Sequence, residues 1–203
     1  MKLHLLKLVI TTSLLLSTTL VTANDDDNGF EKSKAYSLID SSKIKQSSAE
    51  LQRKDTGVCL TVDTKLEKGA YTGWWFIFNN PDACETPRGI GHARCSSTDI
   101  QNPMVGATVM WAAPIIVGDD KKSHTSTCIE NFELTHFVGP DGERKGLTDP
   151  KNAEIHVDIR YHGPAVYSDA QLFGSQLTSF NGGCETNTQS GFKCTEVQTV
   201  IFP

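Results

Sequence analysis

Ala153–Pro164 reads AEIHVDIRYHGP, and its alternation decides how the rest of the chain is read. Successive side chains of a strand point to opposite faces, so Ala153, Ile155, Val157, Ile159 and Tyr161 fall on one side. Glu154, His156, Asp158, Arg160 and His162 fall on the other, an unbroken run of ionisable groups. The first set is a core face. By the ordinary alternation rule the second faces water, as one side of an antiparallel sheet does. If another element covers it, the charges must be paired and the face becomes a candidate for function.

The same pattern extends in both directions. Val58, Leu60 and Val62 alternate with Cys59, Thr61 and Asp63, and Ala70–Phe78 (AYTGWWFIF) is aromatic and β-branched, as a buried strand requires. Val105–Val117 is a long apolar run whose Pro114 predicts a bend or a sheet edge. Cys128–Val138 and Glu196–Phe202 are further strand candidates, and residues 164–180 hold the one short helical piece. Asn79-Asn80-Pro81, Gly118-Asp119, Pro140-Asp141-Gly142 and Gly182-Gly183 are turn signals between these runs. The expected fold is all-β: a single antiparallel β-sandwich of about 6–8 strands over residues 46–203. Trp74, Trp75 and Trp111 sit inside apolar runs and are read as core. Residues 24–45, opening on Asn24-Asp25-Asp26-Asp27, read as a polar, acidic leader.

Residues 1–23 have the form of a signal peptide. Lys2 and Lys7 precede an apolar stretch interrupted only by Ser and Thr, and Val21-Thr22-Ala23 ends it with small residues. The stretch is short and hydroxyl-rich for a membrane span, and no second run of that length follows. Export places the chain in a secreted or periplasmic setting, and the absence of any N-x-Ser/Thr acceptor favours a bacterial one. There the even count of 6 cysteines predicts disulfides. Cys84 and Cys95 flank a Pro/Gly-rich stretch and Cys184 and Cys194 a polar one, so each pair reads as a loop staple contributing about 2–3 kcal/mol. Cys59 and Cys128 would then join by elimination. No CxxC pair supports a zinc–thiolate alternative.

Of the 203 residues, 38% are hydrophobic and 21% charged, enough apolar material for a packed core. Formal charge is −5; without residues 1–23 it is 17 basic against 24 acidic groups, or −7. That balance excludes a protein living on phosphate contacts with nucleic acid.

Chemistry on the 153–162 face is limited by geometry. His156 and His162 stand roughly 20 Å apart along a strand rising about 3.3 Å per residue, so they cannot share a metal ion. His156 and Asp158 can share one only with help from another strand. A hairpin joining residues 128–138 to 153–162 would supply His136, giving a copper or zinc set of His136, His156 and Asp158, and would set Arg160 near Glu130. His92 and His124 read as loop residues. Val138–Asn152 is a long loop in which Asp141, Glu143 and Asp149 lack EF-hand spacing. The GxSxG, HExxH, P-loop and GxGxxG signatures are missing. A hydrolase would have to draw its acid and base from Glu154, Asp158 and His162.

WWFIFNNPDAC (residues 74–84), Asn102-Pro103 leading into ATVMWAAPIIVG (107–118), GLTDPKNAEIHVDIRYHGPA (146–165) and the late NGGC with Cys194 together resemble a family of small secreted bacterial proteins. The resemblance covers roughly residues 55–203. That family carries no assigned activity, so the resemblance supplies no catalytic residues. It implies that Cys84, Cys95, Cys184 and Cys194 form a shared framework, and it leaves the pairing of Cys59 and Cys128 open. The functional expectation is a non-catalytic binding or envelope-associated module for an unidentified ligand or protein partner, with a copper or zinc protein and a hydrolase as rivals.

Overall fold

The computed structural model describes residues 29–134, 146–184 and 194–203. Its strands are β1 (Phe30–Ser33), β2 (Ala35–Ser37), β3 (Ser48–Lys54), β4 (Gly57–Lys65), β5 (Gly69–Phe78), β6 (Ala107–Val117), β7 (Lys122–Glu130), β8 (Glu154–Tyr161) and β9 (Thr195–Phe202). All pairing between them is antiparallel. One sheet has the order β1-β3-β4-β7, the other β2-β9-β8-β5-β6. The chain passes between the sheets at Lys34 and again through the β6–β7 turn, so both edges of the sandwich are joined covalently.

Between the sheets lies a core of Leu51, Val58, Leu60 and Val62 from one side and Trp75, Ile77, Ile155, Val157, Val200 and Phe202 from the other. The five-stranded sheet is covered on its outer face as well. Residues 79–106, with two 3-10 turns, cross one half of it, and the helix α1 (Ala170–Thr178) with residues 179–184 crosses the other. Trp74 and Trp75 record this directly: neighbours on one strand, they point to opposite faces, and both are buried. Every residue of β5 is buried for the same reason. Pro114 is exposed on β6, an edge strand, where its missing N–H costs no ladder bond. Asp169 caps α1, its carboxylate accepting from the amides of Gln171 and Leu172 at 3.0 Å each. Gln176 then docks the helix by donating to the carbonyls of His162 and Pro164.

All three cysteine pairs form as the spacing and elimination suggested: Cys59–Cys128, Cys84–Cys95 and Cys184–Cys194. Cys59 and Cys128 stand directly opposite on β4 and β7. Two expectations fail. Residues 30–37, read as solvated leader, form β1 and β2. Ala35 is fully buried against β9, and Arg53 reaches from β3 to the Glu31 carboxylate and to the carbonyls of Pro150 and Ala153. β7 begins at Lys122 rather than Cys128 and pairs with β4, so no hairpin joins it to β8, which lies between β5 and β9.

A chain shortened to begin at Lys45 therefore loses two edge strands and one partner of Arg53. Its urea midpoint should fall, by about 2–4 kcal/mol of stability. An unchanged midpoint would restore the leader reading.

Candidate functional site

The ionisable face of β8 does not meet water. Glu154 and His156 are 0% exposed and Asp158 and His162 are 1% exposed, beneath the two covering segments. The half-exposed strand expected from alternation is corrected here: alternation reports which residues share a face, not whether a loop later folds over it.

The turn at Asn79–Pro81 sends the chain off the end of β5 and across the sheet, and Cys84–Cys95 closes the crossing segment. Asp99 fixes its far end. The carboxylate accepts from the amides of Ser96 and Glu85, and these bonds outweigh the cost of burial and hold it below the usual carboxylate range. From within the loop Arg88 reaches down to the strand. One of its N–H groups donates to Asp158 at 2.6 Å and the second to the other carboxylate oxygen at 3.1 Å, a bidentate pair. The second nitrogen also lies 2.9 Å from His156 Nδ1. A guanidinium only donates, so Nδ1 accepts and the ring hydrogen sits on Nε2. Nε2 donates to Glu154 at 2.7 Å.

Glu154 also accepts from the amides of Arg94 (3.0 Å) and Cys95 (2.9 Å), with Arg94 Nε at 3.5 Å. Burial pushes its carboxyl up, but the His156 hydrogen bond and the two amides outweigh it and hold the group below its ordinary value. Four side chains thus form one chain of donors and acceptors, and its product is mechanical: it pins the 84–95 loop to β8.

The other half of the face works separately. Arg160 donates to the Phe180 carbonyl (2.6 Å) and to Asn181 (2.8 Å), lies 4.0 Å over the Phe180 ring, and has Glu196 at 3.6 Å. His162 Nδ1 donates to the Gly182 carbonyl at 2.8 Å. Nε2 must then accept, and the Thr72 hydroxyl, 2.7 Å away, donates to it while itself accepting from Trp74 Nε1 at 2.6 Å. Burial depresses the His162 pKa to about 4, and the bond to Gly182 only partly offsets this. Cys194 Sγ lies 3.2 Å from Nδ1. A Cβ on Gly182 would overlap the Ser175 carbonyl, so only glycine lets this turn approach α1 closely enough to reach His162.

Of the residues expected at a metal centre, the structure brings together His156 and Asp158, with the Arg88 guanidinium between them, so a cation already takes both ligands. His136 lies outside the described residues, as do Asp141 and Glu143. Arg160 faces Glu196, not Glu130, because β9 and not β7 is the neighbour of β8. His124 is on β7, 2.8 Å from Asp63, rather than in a loop, and Asp149 is occupied with Asn152. The residues missed from sequence are Arg88, Arg94 and Thr72. Each left a signal: two arginines in a stapled loop, and one threonine in an otherwise aromatic and apolar strand.

Two open clefts of about 460 Å³ each flank the pinned loop. Gly91 and His92 border one, together with Lys32, Lys34 and Lys43; Arg94 borders the other, together with Arg53, Asp82, Asp149 and Lys151. Pro203 touches both. No helix among the described residues is long and apolar enough to cross a membrane. Comparison with family models, curated proteins and solved structures finds no match to this chain.

Two outcomes follow for stability. Arg88→Ala strands the His156 Nδ1, the Thr199 hydroxyl (3.4 Å from the guanidinium) and the Asp158 carboxylate, and should cost about 3–5 kcal/mol by urea unfolding. Adding Asp158→Asn should return part of that loss, whereas two independent losses that simply add would show that the pair is not coupled. For His162 the folded pKa of about 4 lies below the unfolded value of 6.5. Its contribution is therefore complete above pH 6.5, declines as pH falls toward 4, and is then constant, a total of about 3 kcal/mol. His162→Gln should flatten the stability profile over that window, and a profile as steep as wild type would place the titration elsewhere.

Proposed function

We propose that this chain is an exported, non-catalytic binding module whose recognition surface is the pair of clefts on either side of Gly91–Arg94. One observation carries the reading. The ionisable groups of β8 that could have served as acid, base or ligand are sealed from solvent and engaged with Arg88, Arg94, Thr72 and backbone groups, and three of them, Glu154, His156 and Asp158, hold in place the loop that borders both clefts. Glu154, Asp158 and His162, the groups a hydrolase would need, line neither cleft.

The volumes suit a small polar ligand or a segment of a larger one. The cleft beside Arg94 is lined almost wholly by charged and hydrogen-bonding groups, and the one beside His92 sets Lys32, Lys34 and Lys43 around a floor that includes Tyr36 and Ile201; together they favour a polar or charged ligand with some apolar surface, such as a saccharide or a peptide. The three disulfides and the N-terminal export pattern support a secreted or periplasmic location, with the cell envelope as the source of ligand. Stapling suits such a setting: the loop stays ordered without a partner, so binding need not supply its folding entropy.

The test is retention of the full chain on isolated bacterial envelopes and on immobilised oligosaccharides. Asn152→Ala and Lys43→Ala, one in each cleft, should reduce retention of the bound material at least fivefold for one of the two without changing the melting temperature. Tyr167→Ala, exposed beside α1, should have no effect. Retention lost with Tyr167→Ala and kept in both cleft variants would overturn the assignment.

A further inference from the structure

The Cys184–Cys194 disulfide differs from the other two in what touches it. Cys95 is wholly buried in apolar surroundings, and Cys59–Cys128 lies on the outside of the four-stranded sheet with Lys54 Nζ 3.8 Å from Cys59 Sγ. Cys194 is 6% exposed and faces a buried histidine, while its partner Cys184 is half-buried at the surface. The three atoms Cys184 Sγ, Cys194 Sγ and a His162 ring nitrogen lie within 4.8 Å of one another.

We propose that Cys184–Cys194 is a redox-active disulfide that exchanges with an external dithiol, with Cys184 as the sulfur attacked, Cys194 as the leaving thiolate and His162 as the residue that receives it. The step balances as ordinary exchange. A thiolate of the dithiol attacks Cys184 Sγ, the Cys184–Cys194 bond breaks, and its electron pair leaves on Cys194. The second thiol of the partner, losing its proton to solvent, then attacks its own sulfur in the mixed disulfide and releases Cys184. The dithiol leaves as a disulfide, and the protein pair gains two electrons and two protons.

The architecture favours this direction of cleavage in three ways. Only Cys184 has appreciable access to solvent, so the incoming sulfur meets it first. His162 Nδ1, whose hydrogen rests on the Gly182 carbonyl, is also 3.2 Å from Cys194 Sγ, so an anionic thiolate formed there can share or take that hydrogen from a neutral carbonyl, and a stabilised leaving group departs faster. The Thr72 hydroxyl on Nε2, fixed in turn by Trp74, keeps that hydrogen on Nδ1. Gly182 completes the product state. Its carbonyl is 3.8 Å from both sulfurs and can accept from the Cys184 thiol once it forms. His162 acts as a positioning residue and carries no bond to the partner.

The inference is independent of the cleft assignment, since none of these residues borders a cleft. The experiment exposes the oxidised full chain, under native conditions, to dithiothreitol and separately to glutathione, quenches with an alkylating agent, and maps each cysteine by peptide mass spectrometry. Glutathione should be found on Cys184 at least tenfold more often than on Cys194. His162→Gln should slow opening of this pair at least tenfold while leaving Cys59–Cys128, the more exposed bond, unchanged. It should also shift the equilibrium with dithiothreitol tenfold toward the disulfide, a fall of about 30 mV in reduction potential. Glutathione on Cys194 in the wild-type protein, a measurement that needs no variant, would overturn the proposal. So would equal opening rates in wild type and His162→Gln.

Discussion

Glu154 and Asp158 have no water around them, and a carboxylate out of water is tolerable only with donors fixed on it. That constraint organises half the molecule. β8 could have kept its charged face in solvent, as antiparallel sheets commonly do, and the sandwich would still have had the core of Leu51, Leu60, Trp75 and Val157. Covering the face obliges the covering loop to bring cations and amides to fixed places. Arg88, Arg94 and the Cys95 amide are those donors, and Cys84–Cys95 limits the freedom the loop loses in supplying them. Replacing such a network with apolar groups of like volume often stabilises a protein, so stability alone does not explain its presence. Its effect is on geometry: a bidentate arginine fixes the direction of the loop as well as its height above the sheet.

What was legible in the sequence follows from the range of each signal. Alternation is local, so the strands of eight or more residues from β4 to β9 are legible except β7, where the expected strand Cys128–Val138 shares only Cys128–Glu130 with the observed one. The four residues of β1 and three of β2 are too short to show a period, and they became strands because β3 and β9 offered edges. The sharing of a face by Glu154, His156, Asp158, Arg160 and His162 was readable for the same local reason. Burial of that face was not, because it depends on a loop some 60 residues earlier in the chain, where Arg88 and Arg94 show no periodicity at all. Strand order was equally hidden. Alternation gives each strand two faces and no neighbours, so it cannot show that β7 pairs with β4 and β8 with β5 and β9.

Loop closure was the one long-range feature that sequence did carry, since spacing within a short polar or Pro/Gly-rich stretch constrains which cysteines can meet. Both of these disulfides, Cys84–Cys95 and Cys184–Cys194, stand beside the same sheet face, one at each half. The Cys84–Cys95 loop covers Glu154, His156 and Asp158, and residues 180–182, which lead into Cys184, cover Arg160 and His162. A sheet face too polar to be sealed by hydrophobic burial is sealed on one half by a short covalent loop and on the other by the turn that ends at a second disulfide.

The two histidines show how far the covering loop, rather than the residue, sets the chemistry. Both sit on one face of one strand, deeply buried, with both ring nitrogens bonded. In His156 Nδ1 accepts, because the group facing it is a guanidinium with nothing but hydrogens to offer, and Nε2 donates to a carboxylate. In His162 Nδ1 donates, because the group facing it is a carbonyl, and Nε2 accepts from a hydroxyl. The first ring links a cation to an anion and is fully used in doing so. The second links two neutral groups, and the nitrogen that carries its one hydrogen also stands 3.2 Å from a sulfur, which is why its half of the face retains a reactive possibility that the other half has spent on structure.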